Sequence, residues 1–284
     1  MSLAPAEVET WIDYLLPTSR INRRFWAPGK EYNTGVYRSY PVTVRNARLA
    51  GPFTIAEHGF CLTRHVSGVT DWAANYGPDS PYAREVAEAV LGLTGADLVV
   101  PMGGMIRSSG STGETVQPPA AEAHVDFTTR SAHKVAERMY RVARPAGAGY
   151  DRFVCFSFWR ALSPPPQDMP LALCEAGSVG DHEGTHNTKI DVDAIPEGDA
   201  LFAPIAGEED MIAATVFHYS AAHRWWYFPD MTADEALFIT FHDSDHNRAW
   251  RCPHTAFRDP SRPDAEARHS MEFRGVAFFT RDLR

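Results

Sequence analysis

Hydrophobic and polar residues alternate in short runs along much of the chain, and this pattern predicts β-strands that each bury one face. An early example is the stretch in which Tyr40, Val42 and Val44 alternate with other residues. The most strongly β-prone run, residues 153–162, is rich in aromatic residues. Further strands are predicted over residues 98–102, 123–128, 171–174, 201–205, 212–219, 224–228, 237–242 and 268–279.

Three segments carry apolar residues at helical spacing instead, and each predicts an amphipathic helix. The first is residues 6–16. The second begins at Ser80, an N-cap residue followed by Pro81, and stops near the glycines of residues 92–95. The third covers residues 131–142.

Loops and turns separate these elements. Residues 108–119 are rich in Gly, Ser and Pro, which predicts a loop. Residues 164–166 are three consecutive prolines that end the aromatic strand. Thr232 and Glu235 form a capping-box pattern, which predicts one helical turn.

The excess of strands over helices predicts a mainly β fold of the jelly-roll, cupin-like type, known as a double-stranded β-helix. We expect one domain over residues 1–284, since no repeat or low-complexity linker divides the chain. Residues 1–95 are expected to be a helical or mixed part packed on the barrel, and residues 96–284 its β-helix core. A Rossmann fold is disfavoured because the chain lacks a Gly-x-Gly-x-x-Gly motif.

The composition is that of a globular protein, with 44% hydrophobic and 22% charged residues among 284. A net charge of −9 argues against a broad nucleic-acid or anionic-membrane surface. No apolar run is long enough for a membrane span, and the four scattered cysteines form no Cys-x-x-Cys motif. We therefore expect a cytoplasmic protein that binds a small molecule. The pattern leaves its oligomeric state open.

The pair His124 and Asp126 is the first candidate for chemistry. Residues two apart on a strand point the same way, so an imidazole and a carboxylate would lie side by side. With one distant histidine they would form the two-His-one-carboxylate face that binds Fe(II) and leaves positions open. The motif is short and also arises by chance, so a buried or surface histidine without a metal is the alternative.

A polar face on the last predicted strand is the second candidate. Arg268, Ser270, Glu272 and Arg274 lie two residues apart and share one face. A guanidinium with a neighbouring hydroxyl suits a carboxylate, although a solvated edge strand would have the same pattern. His254 precedes Arg268 by a short segment, which would place a metal ligand and a carboxylate-binding arginine within one cosubstrate length.

Other arrangements of histidine and aspartate compete with this assignment. Residues 242–246 read His-Asp-Ser-Asp-His and could hold a metal or serve a hydrolase, although a solvated turn explains them equally well. His218 and His223 are alternative distal ligands, but each flanks an aromatic strand. A serine hydrolase is disfavoured because the chain lacks a Gly-x-Ser-x-Gly motif.

Short motifs in a shared order resemble the hydroxylase/desaturase family, which includes the cephalosporin 7α-methoxylase subunit, gibberellin-desaturase-like proteins and fungal secondary-metabolite oxygenases. The resemblance runs from about residue 40 to residue 279. The motifs are Asn46-Ala47-Arg48, His58-Gly59-Phe60, Thr94-Gly95-Ala96, His124-Val125-Asp126, Trp159-Arg160, Pro170-Leu171-Ala172-Leu173-Cys174, Tyr227-Phe228-Pro229-Asp230-Met231, His254-Thr255-Ala256-Phe257 and Arg268-His269-Ser270-Met271-Glu272.

The resemblance implies Fe(II), 2-oxoglutarate and dioxygen as cofactor and cosubstrates. It maps the catalytic iron ligands to His124, Asp126 and His254, and the cosubstrate-binding arginine to Arg268. We also expect contacts of Ser270 and Arg160 with the cosubstrate, and of Arg107, Trp159 and Tyr227 with substrate; for either of the two arginines Arg160 and Arg107, a structural salt bridge is the alternative. The last of the motifs matches the family by residue type at Met271 and Phe273 rather than by identity.

The expected function is hydroxylation or desaturation of a small molecule of specialised metabolism by an Fe(II)- and 2-oxoglutarate-dependent dioxygenase. The family spans several oxidations, so the reaction type does not follow from the resemblance. Two alternatives stay open: a non-heme iron oxidase of the same fold that does not use 2-oxoglutarate, and a non-catalytic barrel that binds a small molecule.

Overall fold

The computed structural model describes residues 4–28, 30–110, 113, 116–147 and 149–280, and within them the chain forms sixteen strands and three α-helices. The helices are α1 (Ile55–His58), α2 (Pro81–Thr94) and α3 (Thr129–Ala143). The strands are β1 (Glu7–Leu15), β2 (Arg23–Ala27), β3 (Lys30–Asn33), β4 (Tyr37–Asn46), β5 (Phe60–Arg64), β6 (Leu98–Ser108), β7 (Val116–Gln117), β8 (His124–Val125), β9 (Arg152–Ala161), β10 (Leu171–Cys174), β11 (Thr185–Asp191), β12 (Ala213–Val216), β13 (Trp225–Tyr227), β14 (Glu235–Asp243), β15 (His254–Ala256) and β16 (His269–Phe279).

These strands form two sheets that pack against each other. The larger has the order β1-β4-β13-β10-β15-β8-β12-β11-β2-β3, and the smaller has the order β5-β14-β9-β16-β6-β7. The main hydrophobic core contains side chains from both sheets, such as Leu173 and Trp225 from the larger and Trp159 and Ile239 from the smaller. The short strands β8, β10 and β15 lie in the middle of the larger sheet, where they face this core.

Strand β9 is buried on both faces, which explains why its sequence is hydrophobic at nearly every position. Cys155 and Trp159 belong to the core between the sheets. Phe156 and Phe158 belong instead to a second core beneath α2, on the outer face of the smaller sheet. The alternation of β9 therefore separates an inner face, toward the larger sheet, from an outer face, toward the helix.

The two long helices begin and end close to the predicted residues. Ser80 caps α2 by accepting a hydrogen bond from the main-chain N–H of Ala83 at 3.2 Å, and Gly95 ends the helix with a φ of 68°. Thr128 caps α3 in the same way, with the N–H of Ser131 at 3.1 Å. The third helix therefore begins two residues before the predicted segment.

The helix predicted for residues 6–16 is wrong, because this segment is β1, paired along its length with β4. Val8 and Ile12 are buried, but Trp11 is 63% exposed. Apolar residues four apart fit a helix and also a strand, since four is an even number of strand positions. Burial at every second residue distinguishes the strand from a helix, because Thr10 and Tyr14 are buried together with Val8 and Ile12 on one strand face.

Three shorter predictions also need correction. Residues 201–205 form no strand, because Leu201 ends a 3₁₀ helix that begins at Gly198. Glu235 does accept a hydrogen bond from the N–H of Thr232 at 3.1 Å, but it begins β14 rather than a helix. The strand predicted over 123–128 is limited to β8. In the predicted loop 108–119, residues 111, 112, 114 and 115 lie outside the described residues.

Strands β2, β3, β5, β7 and β11 were not predicted. Four of the first five strands in the chain, β1 to β4, belong to the larger sheet and extend both of its ends. Among the described residues, no helix is long and apolar enough to cross a membrane.

Candidate metal and cosubstrate site

His124 and His254 are directly paired residues of the neighbouring strands β8 and β15. Their imidazole rings are 4.5 Å apart, measured between ring centroids. Asp126 follows two residues after His124 and lies on the same face. One possible ligand atom from each of the three side chains lies within 4.8 Å of the others, and all three residues are buried. Among the described residues, no other group of three His, Cys, Asp or Glu side chains meets this distance.

Main-chain carbonyls fix the orientation of both imidazoles. The Nδ1 atom of His124 lies 2.8 Å from the carbonyl oxygen of Glu122, and that of His254 lies 3.2 Å from the carbonyl oxygen of Cys252. A carbonyl oxygen only accepts hydrogen bonds, so each Nδ1 carries the proton and each Nε2 keeps a free lone pair. This is the arrangement in which histidines bind metals through Nε2.

The charges around these ligands favour neutral imidazoles beside an ionised carboxylate. Burial lowers the pKa of His124 well below its usual value, and the neighbouring His254 lowers it further. Burial would raise the pKa of Asp126, but the positive charges of Arg274 and Lys189 outweigh burial and hold that pKa well below its usual range. A guanidinium nitrogen of Arg274 lies 2.6 Å from Oδ2 of Asp126.

This donor set fits Fe(II). Two neutral nitrogen donors and one carboxylate on a single side form the face that non-heme iron oxygenases use, with positions left open opposite them. The ring of His254 is stacked on the ring of Phe241, with the ring centroids 5.0 Å apart. This stacking restricts the rotation of the imidazole. The positions and protonation of the three side chains therefore suit them to bind a metal.

A recess, the Arg268 recess, opens beside the two histidines. Its lining residues are Arg107, Ala120, His124, Ser157, Trp159, Leu171, Ile239, His254, Thr255, Ala256, Arg268 and Glu272. The recess thus joins a candidate metal centre to a buried guanidinium.

Arg268 is 1% exposed, and its guanidinium is only partly satisfied by the protein. One terminal nitrogen donates to the carbonyl oxygen of Met169 at 2.6 Å, and the group lies 5.6 Å from the ring of Trp159. Its Nε has no hydrogen-bond partner among the described residues. Burial, followed by the charge of Arg107, lowers the pKa of Arg268 to about 9.

Ser270 lies two residues after Arg268, on the same side of β16. It is fully buried, and its hydroxyl also has no hydrogen-bond partner among the described residues. Ser270 does not line the recess itself. Buried polar atoms are normally paired, so the unused Nε and hydroxyl together fit the carboxylate of a bound ligand.

A second space, the Lys189 cavity, adjoins the candidate metal ligands at His124 and Asp126. His124 and Arg107 line both spaces. The other residues around the Lys189 cavity are Arg24, Trp26, Met105, Gln117, Glu122, Asp126, Asn187, Lys189, Ala214, Val216 and Arg274. The two spaces therefore meet beside the candidate metal centre, and each contains a cation: Arg268, which is buried, and Lys189, which is half-buried.

The structure does not bring Arg160 to the Arg268 recess. Its neighbour Trp159 is on the inner face of β9, so Arg160 is on the outer face, opposite Met271. There its guanidinium donates to the hydroxyl of Tyr82 at 2.8 Å, to the carbonyl oxygen of Ala233 at 3.0 Å and to Nδ1 of His65. The expected contact of Arg160 with the cosubstrate is at odds with this placement, because the strand cannot direct both neighbours inward.

The two other residues expected to contact substrate differ in position. Arg107 lines both spaces and donates through Nε to Glu272 at 3.3 Å. Tyr227 lines neither space and packs edge-to-face on Phe257, with ring centroids 5.3 Å apart. The position of Tyr227 is that of a core residue.

The competing histidines have structural surroundings. His242 is fully buried between rings that include Phe153 and Trp250, and neither of its nitrogens has a hydrogen-bond partner among the described residues. Asp243 accepts hydrogen bonds from Arg152 at 2.8 and 2.6 Å.

His218 and His223 lie in the segment that connects β12 to β13. His218 contacts the carbonyl oxygen of Leu15 at 2.8 Å, and His223 contacts Tyr14 and Glu183 at 3.0 and 2.7 Å. Both are satisfied by the protein.

Two comparisons with known proteins bear on the family. A family model described as "Oxidoreductase/YMDC permease-like domain" matches residues 14–278. The hydroxylase/desaturase CTB9 of Cercospora beticola is 30% identical over 267 residues, which cover 86% of this chain and 78% of that protein. The hydroxylase/desaturase efuI of Hormonema carpetanum is 26% identical over 261 residues, which cover 86% of this chain and 85% of that protein.

A solved structure is similar over the whole fold. The iron and alpha-ketoglutarate-dependent endoperoxidase NvfI matches with a TM-score of 0.77 and 22% sequence identity, covering 97% of this chain and 99% of that chain. This likeness confirms the predicted mainly β, jelly-roll fold.

The fold and the relatives define the class of protein as an oxidoreductase built on a double-stranded β-helix. The chain belongs to the hydroxylase/desaturase family of Fe(II)- and 2-oxoglutarate-dependent oxygenases. The predicted family and the predicted class of enzyme are thereby confirmed, whereas the role of each site residue stays a prediction.

Proposed function

We propose that this protein oxidises a C–H bond of a small molecule of specialised metabolism, with Fe(II) held by His124, Asp126 and His254 and 2-oxoglutarate held by Arg268. The observation that carries the proposal is the presence of three converging ligands and one incompletely bonded guanidinium around the same recess. The names of the relatives, which include an alpha-ketoglutarate-dependent dioxygenase of 27% identity, support the choice of cofactor and cosubstrate.

When bound, Fe(II) and 2-oxoglutarate together supply the activation of dioxygen. The chain's own residues would bind the metal and the cosubstrate and orient them. The two imidazoles and the carboxylate would hold the metal, and a metal with three protein ligands could accept further ligands from the two spaces. Arg274 keeps the Asp126 carboxylate ionised and oriented through its 2.6 Å contact.

Arg268 and Ser270 would hold the carboxylate of 2-oxoglutarate that lies farthest from the metal. Both groups have an unused hydrogen-bonding atom, and a carboxylate would satisfy them together. Trp159, Leu171 and Ile239 line the recess with apolar surface, which excludes water from the cosubstrate. The hydrogen bonds in such a dry recess are stronger than in water.

The Lys189 cavity would then receive the substrate, because it reaches His124 and Asp126 without including Arg268. Trp26, Met105 and Val216 give it an apolar surface suited to a carbon skeleton. Hydroxylation and desaturation of the substrate both begin at a C–H bond, and the proposal covers both reactions.

A cytoplasmic location is part of this proposal. The four cysteines are free thiols, and Cys155, Cys174 and Cys252 are buried. Thiols of this kind suit the reducing cytoplasm, where disulfides are rare.

The test is the dependence of 2-oxoglutarate binding on metal, measured by anaerobic calorimetry. We expect wild type to bind 2-oxoglutarate only after it is loaded with Fe(II), and the Asp126→Ala variant to bind neither. Asp193→Ala, which changes an exposed aspartate, should behave as wild type. Binding of iron without 2-oxoglutarate would favour an iron oxidase that does not use this cosubstrate. Binding of neither by wild type would favour a non-catalytic barrel.

A further inference from the structure

We propose that Lys189 binds a carboxylate of the substrate in the Lys189 cavity, so that the substrate is a small carboxylic acid with an apolar body. The inference rests on the proposed function, since it takes this cavity as the substrate side of the metal position. It adds a chemical class to a substrate that the family resemblance leaves open.

The floor of the cavity is one continuous face of the larger sheet. Lys189 on β11 is directly paired with Arg24 on β2, and Asn187 on β11 is directly paired with Ala214 on β12. Residues paired in this way point to the same side of a sheet. Ala214 shares a strand face with Val216, and Val216 is directly paired with His124 on β8. Lys189 and His124 therefore point to the same side of the sheet.

Each of the three arginines around the cavity has an acidic partner within the protein. Arg24 pairs with Glu122 and Glu31, and its Nε lies 3.1 Å from the latter. Arg107 and Arg274 both pair with Glu272. The Nε atom of Arg107 lies 3.3 Å from one carboxylate oxygen, and the Nε atom of Arg274 lies 2.7 Å from the other. These guanidinium groups are thus held in place by carboxylates of this chain.

Lys189 is different, because its ammonium group has no hydrogen bond or ion pair with any residue that the structure describes. The negative charge of Asp126 acts on it from a distance, but that carboxylate is in contact with Arg274. Lys189 is half-buried, and a partly desolvated ammonium group is stabilised when an anion faces it. A carboxylate from outside the protein would supply this missing partner through a charge-assisted hydrogen bond.

A second polar group on the same wall is also incompletely bonded. Asn187 is 2% exposed, and its Nδ2 donates to Asn33 and Tyr37 at 3.1 and 3.2 Å. Its Oδ1 has no partner among the described residues. The wall formed by β11 therefore presents an unpaired donor and an unpaired acceptor, two residues apart, to whatever enters the cavity.

The position of this wall suits the orientation of a substrate for oxidation. Lys189 lies three strands from His254 in the order of the sheet, and the cavity extends from Lys189 to His124 and Asp126. A ligand anchored by its carboxylate at Lys189 would direct its apolar part past Val216 toward the metal position. The anchored group would stay away from the reacting carbon.

The chain contains only three lysines, Lys30, Lys134 and Lys189, so each can be followed separately in protein labelled with ¹⁵N at the lysine side chain. The signals are assigned with the variants Lys189→Met and Lys189→Arg. Three carboxylates of increasing size, acetate, cyclohexanecarboxylate and 1-naphthaleneacetate, are titrated into the full-length protein. The matched neutral probe is 1-naphthaleneacetamide.

We expect at least one carboxylate to shift the Lys189 signal at a concentration that leaves the Lys30 and Lys134 signals unchanged. That carboxylate should bind wild type at least about tenfold more tightly than its amide does, as one hydrogen bond between charged groups predicts. The preference should disappear in Lys189→Met and return in part in Lys189→Arg. The shift should persist in Arg268→Met, which removes the guanidinium of the other space.

The inference is overturned if no carboxylate shifts the Lys189 signal at a lower concentration than it shifts the Lys30 and Lys134 signals. It is also overturned if Lys189→Met still binds the carboxylate more tightly than the amide. Calorimetry of 2-oxoglutarate with Fe(II)-loaded wild type and Lys189→Met separates this failure from failure of the proposed function. Normal 2-oxoglutarate binding by both proteins, without a Lys189 shift, would reject only the substrate class. No 2-oxoglutarate binding by wild type would reject the proposed function itself.

Discussion

His124 and His254 lie opposite each other on paired strands, with ring centroids 4.5 Å apart, and each directs Nδ1 to a main-chain carbonyl. The pairing of the strands sets the distance, and the two carbonyls set the tautomer. The histidines are therefore arranged by the backbone and require little rearrangement to bind a metal. The positions of the neighbouring charged groups then determine how strongly the metal and the cosubstrate are held.

Replacement of Arg274 should weaken the binding of Fe(II). In Arg274→Met the Asp126 carboxylate loses its 2.6 Å partner, and Glu272 loses a partner at 2.7 Å. Loss of a group that orients a metal ligand typically lowers metal affinity about 10- to 100-fold. We expect a loss of this size in anaerobic Fe(II) titrations monitored by calorimetry.

The matched control for this variant is Arg141→Met, which removes an exposed arginine paired with Glu137 on α3. It should bind Fe(II) as wild type does. An unchanged affinity in Arg274→Met would show that Asp126 is oriented without its arginine partner.

Replacement of Arg268 and replacement of Arg160, the two arginines assigned to the cosubstrate from the sequence, should have different effects. Arg268→Met should lower the affinity for 2-oxoglutarate by about 1.5–3 kcal/mol, on the order of ten- to a hundredfold, because a charge-assisted hydrogen bond is lost. Arg160→Gln should lower the free energy of unfolding but leave 2-oxoglutarate affinity unchanged in the folded fraction, since its partners lie beneath α2.

The readout for this pair is calorimetry of 2-oxoglutarate with Fe(II)-loaded protein, together with urea unfolding. The opposite assignment, with affinity lost in Arg160→Gln and kept in Arg268→Met, would contradict the account.

Ser270→Ala should have opposite effects on the free and the ligand-bound protein. The Ser270 hydroxyl is buried without a partner among the described residues, so its removal loses no hydrogen bond within the chain. Thermal unfolding of the free protein should therefore occur at the same temperature or slightly higher. The additional stabilisation by Fe(II) and 2-oxoglutarate should be smaller than in wild type. A free variant that is clearly less stable would mean that the hydroxyl has a structural partner.

His242 should make the protein sensitive to acid. Burial, together with the charges of His246 and His133, lowers the pKa of His242 to about 3. The unfolded chain, with a histidine pKa of about 6.5, then binds a proton that the folded state does not. Stability contributed by the neutral ring is present above about pH 6.5 and is lost as the pH falls toward 3.

The variant His242→Phe keeps an aromatic ring among its aromatic neighbours and removes the proton-binding site. Its urea-unfolding free energy should fall less than that of wild type between pH 7 and pH 4, by about 1 kcal/mol or more. Equal pH dependence in the two proteins would mean that His242 is protonated in the fold or does not control acid stability.

The sequence singled out the three candidate metal ligands that the structure brings together, because each belongs to a short local pattern. His124 and Asp126 are two residues apart on one strand face, and Arg268 follows His254 closely. The structure places Trp159 on the inner face of β9 and its neighbour Arg160 on the outer face. The predicted contact of Arg160 with the cosubstrate came from treating neighbouring residues of one motif as a single contact surface.

Other features could not be predicted from local pattern. β1 was mistaken for a helix because its apolar residues four apart fit both periods, whereas Thr10 and Tyr14 complete its buried strand face and β4 pairs with it. Strand β11 has polar residues on both faces at Asn187 and Thr188, so no hydrophobic alternation marks it. Lys189 therefore gave no sequence signal, and its place beside the metal ligands follows only from the order of strands in the sheet.

The most direct test of the central claim is an anaerobic titration of the purified protein with Fe(II) and then with 2-oxoglutarate, followed by visible absorption. We predict that wild type develops the weak visible charge-transfer band of 2-oxoglutarate chelated to Fe(II). His182→Ala, which changes an exposed histidine, should develop the same band, and His124→Ala should not. An undiminished band in His124→Ala, or stoichiometric iron in wild type without any band, would contradict the assignment of this site.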